Sequence, residues 1–221
     1  MAEQTDAPLN RLERRKARTR AALIRAAQSF IAAGPLNVPI LEITQAADVG
    51  MGSFYNHFAS KEDLFEAAVQ EALELQGALL DELTVGLEDP AHTFAQSFRL
   101  TGRFHRLNPE LSAVLVNNGL VLVSSEVGLA VRARRDIEAA ARAGRFTAVR
   151  DIDLALTIAA GAAIFLGQLL HDHPERDDAE ATDLVTEDLL RMFGVPADEA
   201  HEICQRPLPK LGTRPETSTP A

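Results

Sequence analysis

At 221 residues, 46% hydrophobic and 24% charged, the chain has the composition of a soluble globular protein, with room for one large domain or a small domain fused to a bigger one. Its single cysteine, Cys204, excludes an intramolecular disulfide framework and CxxC metal knuckles. The net charge of −10 is unevenly spread: residues 1–61 hold eight Lys/Arg against five Asp/Glu, and the remainder fourteen against twenty-seven. That asymmetry points to a polyanion met by one end only.

The opening MAEQTDAPLN lacks the basic-then-apolar order of a signal peptide. The longest uncharged run, Leu154 to Leu170, falls short of the roughly 18 apolar residues of a membrane span. A cytoplasmic protein with no membrane partner is expected.

In chain order, the first helix is predicted from Arg14 to Ala33, with Ala17, Ala21, Ile24, Ala27 and Ile31 as its apolar stripe. Seven basic residues and one acid, Glu13, lie between Arg11 and Arg25, and Arg11, Arg14, Arg15 and Arg18 share a face. Such a run is ordinarily a solvated face; a nucleic-acid contact is the alternative. Gly34-Pro35 stops the helix. A short helix follows from Pro39 to Ala47, then a tight turn, Asp48-Val49-Gly50. A second short helix spans Met51 to His57, with Phe54 and Phe58 facing inward. Ser60-Lys61-Glu62-Asp63 has the form of a capping box. It opens a long helix whose apolar face is Leu64, Phe65, Ala68, Val69, Ala72, Leu75 and Leu79. Helical segments are predicted at 91–105, 109–122, 125–143, 151–171, 178–193 and 196–205, with no period-two alternation that would make a sheet.

Two short helices joined by a three-residue turn describe a helix-turn-helix. Met51, Gly52, Ser53, Tyr55, Asn56 and His57 face outward on the second. Small residues there allow a close approach to the major groove, and Tyr55, Asn56 and His57 can bond phosphate oxygens or base edges. Lys61 opens the next helix, where its charge and the local N–H groups can meet a phosphate. The rival reading is a helix start packed on two phenylalanines with incidental polar neighbours.

RTRAALIRAAQSFIAAG followed by ILEITQAADVGMGSFYNHFASKEDLF resembles the DNA-binding domain of the tetracycline-repressor (TetR/AcrR-type) family of bacterial regulators. The resemblance covers about the first seventy residues. It implies phosphate contacts by Tyr55, His57 and Lys61, a groove lining of Met51, Gly52 and Ser53, and backbone approach by Arg15 and Arg18. It also implies an all-α homodimer, with an N-terminal three-helix helix-turn-helix domain and a larger helical domain for effector binding and dimerisation. Three departures stand out: Asp48 replaces the turn glycine, Gly50 the Ser/Thr cap, and Met51 a polar base-reader. Met51 offers only apolar contacts, for instance to a thymine methyl.

The expected organisation is a DNA-binding domain at 11–60, an effector and dimerisation domain at 61–205, and a disordered tail at 206–221. Phe94, Phe98 and Phe104 are candidate walls of an effector site and Asn117 and Asn118 candidate polar anchors; the alternative is core phenylalanines and a solvated or capping asparagine pair. Gly161, Ile164 and Gly167 are candidates for a dimer contact, against a helix buried within the monomer. His171-Asp172-His173 reads as a solvated helix terminus rather than a metal site, since adjacent helical positions point apart. No GxSxG, HExxH, phosphate loop or dinucleotide fingerprint occurs, so no enzyme, cofactor or metal is expected. The expected function is a repressor released from palindromic double-stranded DNA by a small apolar effector. The alternative is a ligand-independent regulator or an activator of the same fold.

Overall fold

A computed structural model describes residues 11–33, 37–117 and 128–209. Among these there are ten helices and no strand: α1 (Arg11–Ala33), α2 (Ile40–Ala46), α3 (Met51–Phe54), α4 (Lys61–Thr84), α5 (Pro90–Leu107), α6 (Pro109–Asn117), α7 (Leu129–Arg142), α8 (Ile152–Asp172), α9 (Asp178–Met192) and α10 (Ala197–Gln205). Residues 118–122 of the predicted 109–122 segment, the first residues of the predicted 125–143 segment, and 210–221 of the expected tail lie outside the described residues. Arg206 is held: its carbonyl accepts from Arg99 Nη1 at 2.8 Å.

The helix starts follow local chemistry. Ser60 Oγ accepts from Asp63 N at 3.1 Å, and Asp89, Asp151 and Asp177 each accept a first-turn N–H of α5, α8 and α9. Asp48 takes the left-handed conformation required of the α2–α3 turn, with φ 54°. Gly50 precedes α3 without a side-chain bond. α3 is one turn long rather than running to His57. The Phe54 carbonyl accepts from both His57 N and Phe58 N, closing a turn over Tyr55–His57; a glycine and two aromatics give little propensity to extend the helix.

Two cores result. The head core joins Leu23, Ile24, Ala27 and Ile31 of α1 to Ile43, Phe54, Phe58, the first half of α4, and Phe104, Val114 and Leu115. Ala17, expected in this stripe, is exposed, because the first two turns of α1 project beyond the packed helices; Leu23 takes the inward role. On α4, Leu75 is also exposed, and the buried face runs instead through Leu73, Gln76, Gly77, Leu80 and Thr84. The body core centres on Phe94, Phe146 and Phe193, with ring centroids 5.0–5.6 Å apart. α8 is long and apolar enough by length and composition to cross a membrane. Yet Ala155, Leu156, Ala159, Leu166 and Leu170 pack its inner face into this core.

Asp48 sets a test of the turn. Asp48→Val places a β-branched residue at positive φ and is expected to cost about 1–2 kcal/mol, whereas Asp48→Gly is neutral or stabilising. Urea unfolding monitored by circular dichroism checks both; equal stability of the two variants would contradict the backbone argument.

Candidate nucleic-acid interface and ligand cavity

The outer face of the head is built on buried anchors. Phe54 is fully buried and Phe58 nearly so, with rings 6.1 Å apart. These fix the one-turn α3 so that Met51, Gly52, Tyr55 and Asn56 are exposed and Ser53 and His57 half-buried. A Cβ added at Gly50 or Gly52 would meet no atom within 4 Å, so both glycines leave open room rather than relieve crowding within the chain. Tyr55 stands edge-on to Phe54 at 5.1 Å, which leaves its hydroxyl end outward, and is 61% exposed.

The basic turn of α1 reaches this face. Arg20 lies over the Phe58 ring at 5.1 Å. Partial burial, then the charges of Lys16 and Arg20, holds His57 below its ordinary pKa, so its imidazole is neutral at neutral pH. Lys61 lies 6.0 Å from the Phe65 ring at the start of α4. Arg11, Arg14, Arg15 and Arg18 are all exposed along the projecting turns of α1. Lys16, Arg20 and His57 therefore stand together, on the side of the head where Tyr55 and Asn56 are exposed. Lys16 and Arg20 were part of the basic run in the sequence but not of the expected site; their i, i+4 spacing, which puts both on one helical face, was the available signal.

A second feature lies in the body. A mainly apolar cavity of about 800 Å³, its open mouth included, is bounded by α4, α5, α7 and α8. Leu73, Leu80, Phe94, Phe98, Leu156 and Ile164 supply apolar walls. One side carries a charged row. Asp81 accepts from Arg132 Nε at 2.6 Å and from Arg135 Nη1 at 2.8 Å, and Arg135 Nε donates to Asp136 at 2.9 Å. Arg132 also pairs with Glu74 at 2.8 Å, lying across Gly77, where a Cβ would run into its guanidinium. Burial raises the Asp136 pKa against the opposing pull of Arg135. An apolar chamber with a few convergent polar groups is the form of a small-molecule site.

Of the expected effector residues, Phe94 and Phe98 line this cavity. Phe104 does not: it points into the head core with Val114 and Leu115. Asn117 Nδ2 donates to the Ile31 carbonyl of α1 at 3.2 Å, tying two helices together instead of anchoring a ligand, and Asn118 lies outside the described residues. Of the expected dimer residues, Ile164 lines the cavity, and the space above Gly167 is filled by the His105 ring. Only Gly161 faces open space. His171 is not a solvated terminus; its Nε2 lies 2.8 Å from the buried Ser112 hydroxyl. The charged row was missed in the sequence, although Arg132, Arg135 and Asp136 share one helical face at i, i+3, i+4. Among the described residues no cluster of His, Cys, Asp or Glu could hold a metal ion.

Family models match both parts of the chain: bacterial regulatory proteins of the tetR family over residues 23–68, and the tetracyclin repressor-like C-terminal domain over residues 89–206. The structure of RolR (NCGL1110) in complex with the ligand resorcinol is 35% identical, covers 90% of this chain and 99% of its own, and superposes with a TM-score of 0.63. RolR without ligand is 37% identical over 86% of this chain and 98% of its own, with a TM-score of 0.70. A putative tetR family transcription regulator from Shewanella sp. PV-4, 17% identical over 78% of this chain and 96% of its own, shares the fold with a TM-score of 0.65. A comparison with curated proteins returns no match. The chain belongs to the TetR family of transcription regulators, with its helix-turn-helix in α2 and α3.

His57 gives this surface a pH signature. A phosphate beside it would favour the imidazolium, so a DNA contact at His57 would raise its pKa from a lowered starting value. The added affinity is full below the free-state pKa and is lost as pH rises through the bound-state pKa. Fluorescence anisotropy between about pH 8 and pH 6 is expected to show wild-type affinity for duplex DNA strengthening as pH falls more steeply than that of His57→Gln. Parallel slopes for the two proteins would remove His57 from the contact.

Proposed function

We propose that the protein is a homodimeric repressor whose heads bind a palindromic operator and whose cavity takes a small aromatic effector that releases the DNA. The observation that carries the effector is the cavity itself: aromatic and aliphatic walls facing an Asp81–Arg132–Arg135–Asp136 row. A flat ring bearing hydroxyls suits that pairing, with its faces against Phe94 and Phe98 and its hydroxyls exchanging hydrogen bonds with carboxylate and guanidinium groups. RolR, whose structure holds resorcinol, supports the dihydroxybenzene class as the first to try.

Dimerisation is read from the outer face of α8. Leu154, Ile158, Phe165 and Leu169 follow one another along it, exposed to 63%, 45%, 76% and 37%, and Leu184 of α9 is exposed to 59%. An apolar stripe of this size on a globular protein calls for a partner, and an isologous contact between two copies pairs the stripe with itself. Two copies joined there would carry two recognition helices, as two half-sites one turn of DNA apart require. In this reading Tyr55, His57, Lys61, Arg15, Arg18, Lys16 and Arg20 meet phosphates, while Met51, Gly52, Ser53 and Asn56 face base edges. The protein acts in the cytoplasm, where its operator is.

Selection from random duplexes recovers the operator, and titration with resorcinol, catechol and hydroquinone tests release. At saturation one of these raises the operator Kd by about 5–150-fold, the range of an ordinary allosteric coupling. Ala160→Phe, which fills the cavity from α8, binds the operator within about threefold of wild type and loses the response. DNA binding indifferent to the whole panel would contradict the dihydroxybenzene reading, and selection yielding no palindrome would contradict the operator reading.

A further inference from the structure

Three polar side chains stand in line where α5, α6 and α8 meet, outside the charged row of the cavity. His105 Nδ1 is 2.6 Å from Ser112 Oγ, which is 2.8 Å from His171 Nε2. Ser112 is fully buried, His105 is 5% exposed, and the two rings stand 6.5 Å apart at 72°. His105 Nε2 is sealed from solvent without a bond of normal geometry, and the Ala163 carbonyl lies within reach of the ring.

A hydroxyl has one proton to give and two lone pairs, so three arrangements of neutral rings satisfy both contacts. If Ser112 donated to His171, or accepted from both rings, His105 would donate from Nδ1 and leave a bare Nε2 lone pair, buried beside a carbonyl oxygen. That is repulsion between two acceptors with no water to relieve it. In the other arrangement His171 Nε2–H donates to Ser112, Ser112 donates to His105 Nδ1, and His105 Nε2–H is left to face the Ala163 carbonyl. Only this last arrangement leaves no acceptor facing another.

We propose that the hydrogen bonds run in this one direction, from His171 through Ser112 to His105, and that the chain braces α6 against α8 so that the cavity wall and the head move together. Each end is placed for that role. Ala163, beside His105, lines the cavity. α6 carries Val114 and Leu115 into the head core and ties Asn117 to the Ile31 carbonyl of α1 at 3.2 Å. The chain requires a neutral His105, since Nδ1 must accept. Burial, then the neighbouring His171, presses its pKa down to about 4. The consequence for gene control rests on the repressor reading, but the brace is testable without DNA or effector, so the two can fail separately.

The test uses the full chain. Heteronuclear NMR with ¹⁵N-labelled histidine at about pH 7 is expected to show His105 protonated on Nε2 and bare on Nδ1. His171→Leu removes the donor at a half-buried position and is expected to speed amide exchange in residues 109–117 and 23–33 about tenfold, the effect of losing one hydrogen bond. Residues 178–192 exchange as in wild type and report that the body remains folded. His171→Gln, whose amide can donate to Ser112, restores slow exchange. A proton on His105 Nδ1, wild-type exchange in the Leu variant, or a Gln variant that behaves like Leu would each overturn the proposal.

Discussion

Burial of α4 on two faces joins the head to the body. Leu64, Ala68, Ala72 and Leu73 close the head core; Leu73 also borders the cavity, which Leu80 lines two turns further on. Each buried leucine is worth roughly 1.5–3 kcal/mol relative to exposure, so neither end of the helix can leave its core cheaply. The Arg132 pairs with Asp81 and Glu74 contribute far less, since both carboxylates are a third or more exposed and such pairs measure about 0–1 kcal/mol. Apolar packing therefore fixes where α4 lies. In the proposed reading the charges select what the cavity accepts, and a ligand that shifted α7 or α8 would move a helix whose other end packs in the head core.

The electrostatics of the chain divide in the same way. A net charge of −10 should repel DNA, yet the attraction is local. Lys16 and Arg20 stand beside His57 and Lys61 opens α4 four residues on, while the acidic excess lies beyond residue 61. At physiological salt the Debye length is about 8 Å, so acidic groups farther than that from the basic face are largely screened.

Much of the head was legible in the sequence because its signals are local. The Asp48 turn, the Ser60 cap and the inward spacing of Phe54 and Phe58 each depend on residues within four positions of one another. The length of α3 was not legible, since the two bonds to the Phe54 carbonyl end it early despite continued helical spacing. In the body, the helical segments were readable from local periodicity and turn breaks, but partnerships were not. Phe94 and Phe104 sit on one helix with the same chemistry, and only tertiary packing sends one to the cavity and the other to the head core. Gly167 read as a place for a partner helix and instead receives His105, a residue far away in sequence. The Arg132–Asp81 pair spans 51 positions, beyond any motif.

The central claim is that filling the cavity changes the separation of the two heads. Spin labels at Asn56→Cys, with buried Cys204 replaced by serine, report that separation in the dimer by double electron–electron resonance. DNA-bound protein is expected to hold the recognition helices about 34–36 Å apart, one turn of B-DNA, and the effector-saturated protein to move to a distinct distance that the unliganded protein samples less. Identical distance distributions with and without a bound effector that releases DNA would contradict the account.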